Sequence, residues 1–378
     1  MRSRERPEGP TTRKWQRQAL GAVLIAALAA LVAVGLWKTS QPPPRPHYVV
    51  LVEQPRGIMG TSCSLTALAA DEETAGRALK AAESALREVE ARMSSWLADS
   101  EIGRLNTAPA GEQVPLSAAT VDVLQAAHKA ATDTQGAFDV TIGPLIKVWK
   151  QAGKAGKLPA EQDLTRARAA SSWRLIELRA SGAVKKADTA RVDLGGIAKG
   201  FGIDRALAAM KREGAIGGLV DVGGDLRCFG QAPDGASWAV DVRDPFGDGN
   251  LAELQVREAA VCTSGNYARY VEIGGKHYSH IIDPRTGWPA ETAPSVTVVA
   301  AQTITADIWA TALSVLGERG LNLLPPGVEA MVVLGCPADH RLLYTPGFKA
   351  MLKGPAPAGV VLGRERSGPP VSQPSPRP

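Results

Sequence analysis

The chain has 378 residues, 44% hydrophobic and 21% charged, a balance that excludes both a disordered chain and a multi-span membrane protein. Its net charge of +5 sits in the ends: six Lys/Arg against two Glu in residues 1–18 and five against one in 349–378 leave 32 basic against 35 acidic over 19–348. No clustered positive charge marks the body, so nucleic-acid binding is not expected. In chain order, the basic flank 1–18 leads into an uncharged run, Ala19–Trp37. As a helix it would span about 28 Å, near the hydrocarbon thickness of a bilayer. Arg2, Arg4, Arg6, Arg13, Lys14 and Arg17 precede it, which keeps the N-terminus cytoplasmic. An uncleaved transmembrane signal anchor is expected at 19–37, with a cleaved signal peptide as the rival. Residues 38–46 contain QPPPRP, a stiff linker. The folded body is expected at 47–353. Residues 354–378, rich in Gly, Pro and Ser, read as a disordered tail.

Within the body, 47–52 and 59–69 read as strands. Leu79, Ala82, Leu86, Val89 and Met93 recur at helical spacing, predicting a helix over 71–93. Ser117 is placed to cap a second helix reaching about Thr132. A third is expected over 197–212 and a last one over 306–316. Strands are expected at 218–222, 238–242, 251–256, 277–282, 295–300 and 330–334. The mixture, without regular βαβ alternation, predicts an α+β fold of mixed sheets and helices. The four cysteines, Cys63, Cys228, Cys262 and Cys336, form no CxxC or Cys/His cluster. A zinc site is not expected, and Cys63 and Cys262 read as small buried hydrophobes.

Five segments place glycine and polar residues where a plain core would place neither. They are GAFD with Thr141, Gly143 and Pro144 (136–144), DLGGIAKG (193–200), DVGGD (221–225), SHIIDPRTG (279–287) and TADIWAT (305–311). Glycines ahead of a helix let backbone N–H groups approach an anion, and Lys199 would add a full charge. An ordinary capped turn explains the same residues. Gly223-Gly224 is equally explained by a positive φ. Asp307 and Thr311, at i and i+4, share one helix face and are both oxygen donors; the alternative is an N-terminal Asp favoured by the helix dipole.

With MGT (59–61), MSSW (93–96), DSEI (99–102), RLN (104–106), TSGNY (263–267) and ADIWATALSVLG (306–317), these segments resemble the ApbE family, the FAD:protein FMN transferases. The resemblance covers about 57–335. It implies an enzyme that moves the FMN half of FAD onto a Thr or Ser hydroxyl of a partner protein and releases AMP. By the same resemblance Mg²⁺, with Mn²⁺ as a second possibility, is held by Asp307, Thr311 and the backbone of Gly196, a position often Ala or Ser in the family. FAD is met by Met59, Trp96, Ala137, Phe138, Asp139, Asp193 and Lys199. Trp96 stands where the family often has Tyr, and either ring can stack; Trp288 likewise replaces a common Tyr. His280 and Asp283 are the candidate general bases, His280 preferred because its ordinary pKa is near neutral. The implied acceptors are flavoprotein subunits such as those of Na⁺-translocating NADH:quinone reductase or Rnf-type complexes. The implied place is the bacterial inner membrane, with the catalytic domain facing the periplasm. An FAD pyrophosphatase and a non-catalytic FAD-binding protein are the competing readings. A nicotinamide oxidoreductase falls away, because no GxGxxG opens a βαβ unit.

Overall fold

The computed structural model describes Leu28, residues 30–32, 48–266 and 270–362. The membrane anchor expected at 19–37 lies outside the described residues, apart from Leu28, Ala30, Leu31 and Val32. No described helix is long and apolar enough to cross a membrane.

The body is built on one nine-stranded sheet ordered β1-β2-β6-β7-β10-β13-β14-β15-β16. The strands are β1 (Val49–Glu53), β2 (Cys63–Ala69), β6 (Gly217–Val222), β7 (Asp225–Phe229), β10 (Ala260–Gly265), β13 (Ser295–Ala300), β14 (Glu329–Cys336), β15 (Asp339–Tyr344) and β16 (Val360–Val361). Every pairing is antiparallel except β15 with β16. Three small sheets complete the count: β3 (Gln113–Pro115) and β4 (Ile176–Arg179) on either side of β5 (Gly182–Lys185), β8 (Trp238–Arg243) with β9 (Asn250–Val256), and β11 (Tyr270–Ile273) with β12 (Lys276–Ser279). The eight helices among the described body residues are α1 (Glu72–Met93), α2 (Glu101–Thr107), α3 (Ala118–Asp133), α4 (Gly143–Ala155), α5 (Glu161–Ala169), α6 (Ala198–Arg212), α7 (Thr303–Leu316) and α8 (Pro346–Ala350). Sheet and helix mix as the sequence predicts, with no run of parallel βαβ units.

The sequence reasons are local. Asp71 accepts the N–H of Thr74 at 2.7 Å and starts α1. The α1 stripe of Ala75, Ala78, Leu79, Ala82, Leu86, Val89 and Met93 is buried. It packs on β2 and on α6, where small residues such as Gly202 allow close approach. Alternation in β2 sends Cys63, Leu65 and Ala67 into the cluster with α1 and α6. On the other side of the sheet, the β8–β9 hairpin covers Cys228, Val261, Met331 and Val333. Helix α7 lies over β10 and β13 beside α6.

Several boundaries differ from expectation. The strand expected from Met59 starts only at Cys63, because Met59 (φ 48°) and Gly60 (φ 67°) form a left-handed turn. The strand expected over 277–282 ends at Ser279, where Ile281 turns back to accept the N–H of Ala290. Helix α7 begins three residues earlier than read. Helices α2, α4 and α5 fall where the sequence reading assigns none. The local signals exist: Ser100 caps α2, Pro144 sits in the first turn of α4, and Gly156 ends it at φ 62°. Beyond Lys353, Val360–Val361 pair with Leu343 and Tyr344, so ordered structure continues past the expected edge of the body; residues 363–378 lie outside the described residues.

Candidate functional site

Two helix starts build the site. At the beginning of α6, a Cβ on Gly200 would lie 2.6 Å from the backbone oxygen of Thr303, so only glycine lets the first turns of α6 and α7 touch. Across that contact the Asp307 carboxylate accepts the Gly200 N–H at 2.9 Å through Oδ2. Asp307 is 4% exposed, and its Oδ1 accepts no hydrogen bond from a described residue. Burial raises its pKa, against the pull of Lys199 and the Gly200 N–H. Asp307 therefore is not the helix-start Asp of the dipole reading. It lies in the second turn of α7, and the first turn is capped from outside by Asp204 of α6, which takes the N–H groups of Thr303 and Ile304.

One turn beyond Asp307, the Thr311 hydroxyl makes no hydrogen bond among the described residues. Its neighbour is Gly196: a Cβ there would lie 3.0 Å from Thr311 Oγ1 and 3.2 Å from Phe138 Cε2. The three expected metal-ligand positions thus converge, and Phe138 joins them. The donors are a carboxylate, a hydroxyl and a backbone carbonyl. An all-oxygen set of this kind suits a hard cation such as Mg²⁺.

Asp193 ties the surrounding segments. Its N–H donates to Val140 O at 2.7 Å. Its Oδ1 accepts the Gly195 N–H at 2.9 Å, and its Oδ2 accepts the Ser95 hydroxyl at 3.0 Å. Segments 93–96, 136–144 and 193–200 are thereby joined. Lys199 is ion-paired with buried Asp225, whose Oδ1 also accepts the Thr263 N–H; this brings in 221–225 and 263–266. Met59 reaches over α6, with its Cε close to Gly202. A Cβ on Gly136 would lie 3.7 Å from Arg285 Cγ, and Ala137, Ile281 and Val315 share one apolar cluster. The 279–287 turn therefore packs between the 136 loop and the end of α7.

Not every candidate side chain is available to a ligand. Asp139 spends Oδ1 on Thr141 and Oδ2 on the Trp173 N–H, so it shapes its own turn. Asp283 has both oxygens gripped by Arg285, at 2.9 and 2.8 Å. Ala137 is buried; Trp96 is 77% exposed, with Lys150 Nζ 3.9 Å from its ring centre. His280 is exposed just beyond β12. Sequence reasoning missed Asp204, whose signal was its i,i+4 spacing from Gly200, and Lys150, for which the sequence carried no signal.

The ApbE family pattern matches residues 59–332, from the Met59 turn into β14. The chain belongs to the ApbE family. Among its relatives is a Klebsiella pneumoniae FAD:protein FMN transferase, 32% identical over 308 residues, covering 78% of this chain and 88% of the relative. A Vibrio cholerae FAD:protein FMN transferase is 35% identical over 242 residues, covering 62% and 72%. Among solved structures, the flavin transferase ApbE from Vibrio cholerae superposes with a TM-score of 0.71 at 28% identity, covering 81% of this chain and all of that one. The apo flavinyl transferase ApbE of Pseudomonas stutzeri gives 0.71 at 26% identity, covering 83% and 98%. The ApbE match contains every segment joined above.

Proposed function

We propose that this ApbE-family chain is an FAD:protein FMN transferase. The observation that carries the reading is the convergence of Gly196, Asp307 and Thr311 inside an ApbE-family match. Mg²⁺ held by the Asp307 carboxylate, the Thr311 hydroxyl and the Gly196 carbonyl would neutralise pyrophosphate charge and stabilise AMP as it leaves. The protein's own residues do the rest. The start of α6 turns the positive end of its helix dipole to the site, its Ala198 and Gly200 N–H groups being held by Leu194 O and Asp307. Lys199, steadied by Asp225, supplies positive charge beside them. With Lys150 over one face of its ring, Trp96 would stack a ring of the dinucleotide on the other and help exclude water. An acceptor Thr or Ser hydroxyl attacks the FMN phosphorus; the new O–P bond forms as the bond to the AMP phosphate oxygen breaks. His280 takes the hydroxyl proton, a role for which Asp283 is poorly placed because Arg285 already neutralises it.

The uncharged run 19–37 behind six basic residues supports a single-pass inner-membrane anchor with the body in the periplasm. Electron-transfer flavoproteins of that compartment are the proposed acceptors. Transfer and hydrolysis are separated by one assay. The protein is incubated with FAD and Mg²⁺, with and without a Thr-containing peptide, while AMP and peptide mass are followed. AMP release that needs the peptide, with the peptide gaining the mass of FMN, is the expected result. Equal release of AMP and free FMN without peptide would make this an FAD pyrophosphatase.

A further inference from the structure

Beside the site, α4, α5 and residues 188–191 enclose a cleft of about 700 Å³ that no step above uses. Its floor is apolar, with Val148, Ala152 and Ala167; Leu158, 49% exposed, stands at its edge. Its charges are unbalanced. Asp163 is engaged by Arg166 at 3.7 Å, and Asp188 Oδ1 accepts the Ala110 N–H at 2.6 Å. Lys147, Lys157 and Arg191 have no carboxylate within ion-pair distance among the described residues; Arg191 instead donates to the backbone oxygens of Asp188 and Ala190.

The cleft wall shares its backbone with the site. Asp193 N–H donates to Val140 O at 2.7 Å and Gly143 N–H to Arg191 O at 3.3 Å, so two paired segments run from Asp193 to the cleft wall. Two extended residues span about 7 Å. An acceptor protein with its hydroxyl at the pyrophosphate must rest against surface at that range.

We propose that this cleft docks an acidic, partly apolar segment of the acceptor protein; the inference rests on the transferase reading. Charge complementarity selects the acidic partner, and the apolar floor selects a polypeptide over a small anion. The three unpaired cations sit on different segments around an apolar floor, whereas a free phosphate would be gripped by clustered donors.

The test uses the full chain and two labelled peptides that share one Thr and one Leu, flanked by Asp in one and by Lys in the other. Binding is read by anisotropy without FAD, and FMN transfer by peptide mass. Lys147→Glu with Lys157→Glu is compared with Lys80→Glu with Lys349→Glu, an equal charge change elsewhere on the surface. The unaltered protein should bind the Asp peptide at least about tenfold tighter than the Lys peptide. The cleft pair should lose about tenfold in binding and in transfer at low peptide, the distant pair much less, with FAD binding unchanged in both. Equal losses in the two pairs, no peptide preference, or displacement of the peptide by AMP alone would overturn the docking proposal. A peptide flavinylated just as well by the cleft pair would sink the docking and leave the transferase reading standing. A peptide that docks in the cleft yet never gains FMN would sink the transferase reading and the acceptor role with it.

Discussion

Asp204 caps the helix of Thr303 from a different helix. Its Oδ1 accepts the Thr303 N–H at 2.9 Å and the Thr303 hydroxyl at 2.8 Å, its Oδ2 accepts the Ile304 N–H at 3.0 Å, and Arg227 pairs with it at 2.6 Å. The start of α7 is thereby pinned to α6, and the spacing of Asp307 from Gly200 is fixed with it. Asp204→Ala should destabilise the fold by about 1–3 kcal/mol, since it leaves buried donors unpaired, and should lower turnover although Asp204 touches no substrate in this reading. Thermal unfolding and AMP release check both; unchanged values would show that α7 holds its place without the cap.

Gly200→Ala tests the helix contact directly. The added methyl would meet backbone atoms at 2.6 and 2.8 Å, which cannot rotate away. A loss of about 1–3 kcal/mol is expected, with turnover falling further as Asp307 is drawn from its donor. A variant as stable and active as the parent would mean that the two helices do not touch as described.

Asp307→Ala should abolish AMP release in saturating Mg²⁺. It should also cost about 1–3 kcal/mol, because the Gly200 N–H is left without its acceptor. Thr311→Ala should lower turnover less, since water can replace a hydroxyl ligand. Retention of most activity by the Asp307 variant would dismiss the metal assignment.

Glu101 gives a pH dependence. Burial pushes its carboxyl up, but hydrogen bonds from Thr120, Ser117 and Arg92 outweigh that and hold the pKa below the ordinary value. A depressed folded pKa means stability that is present above the unfolded value near 4.3 and lost as pH falls through the folded one. Glu101→Gln should therefore be less stable than the parent at pH 7, and the gap in urea midpoint should close as pH falls below about 4. A constant gap would show that the carboxylate charge contributes nothing to the α2–α3 junction.

Thiol labelling checks the burial pattern. Burial raises the Cys63 thiol to about 11 and lifts Cys228 and Cys262 as well, while Cys336 is exposed. At pH 8 a small alkylating reagent should mark Cys336 alone in the native protein, and all four thiols after unfolding. Native labelling of Cys262 would place the floor of α7 in solvent.

What the sequence alone determined lies within a few residues of itself. The Asp71 and Ser117 caps, the α1 stripe from Leu79 to Met93 and the Gly-Gly turn at 223–224 need only local backbone preference and apolar period. The order of the family motifs was legible for the same reason, as was the pairing of Asp307 with Thr311 at i and i+4. The tertiary structure decided which partner each of these side chains meets. Asp283 is neutralised by Arg285, Asp139 holds Trp173, Lys199 meets Asp225, and Asp307 accepts from a glycine 107 positions away. Such partners are chosen by how the helices and the nine-stranded sheet pack, and a carboxylate's neighbours across that packing leave no trace in the residues beside it. The cleft between α4 and α5 was invisible for the same reason: Lys147, Lys157 and Arg191 are unremarkable in sequence, and only the fold sets them around one cleft without a carboxylate at ion-pair distance among the described residues.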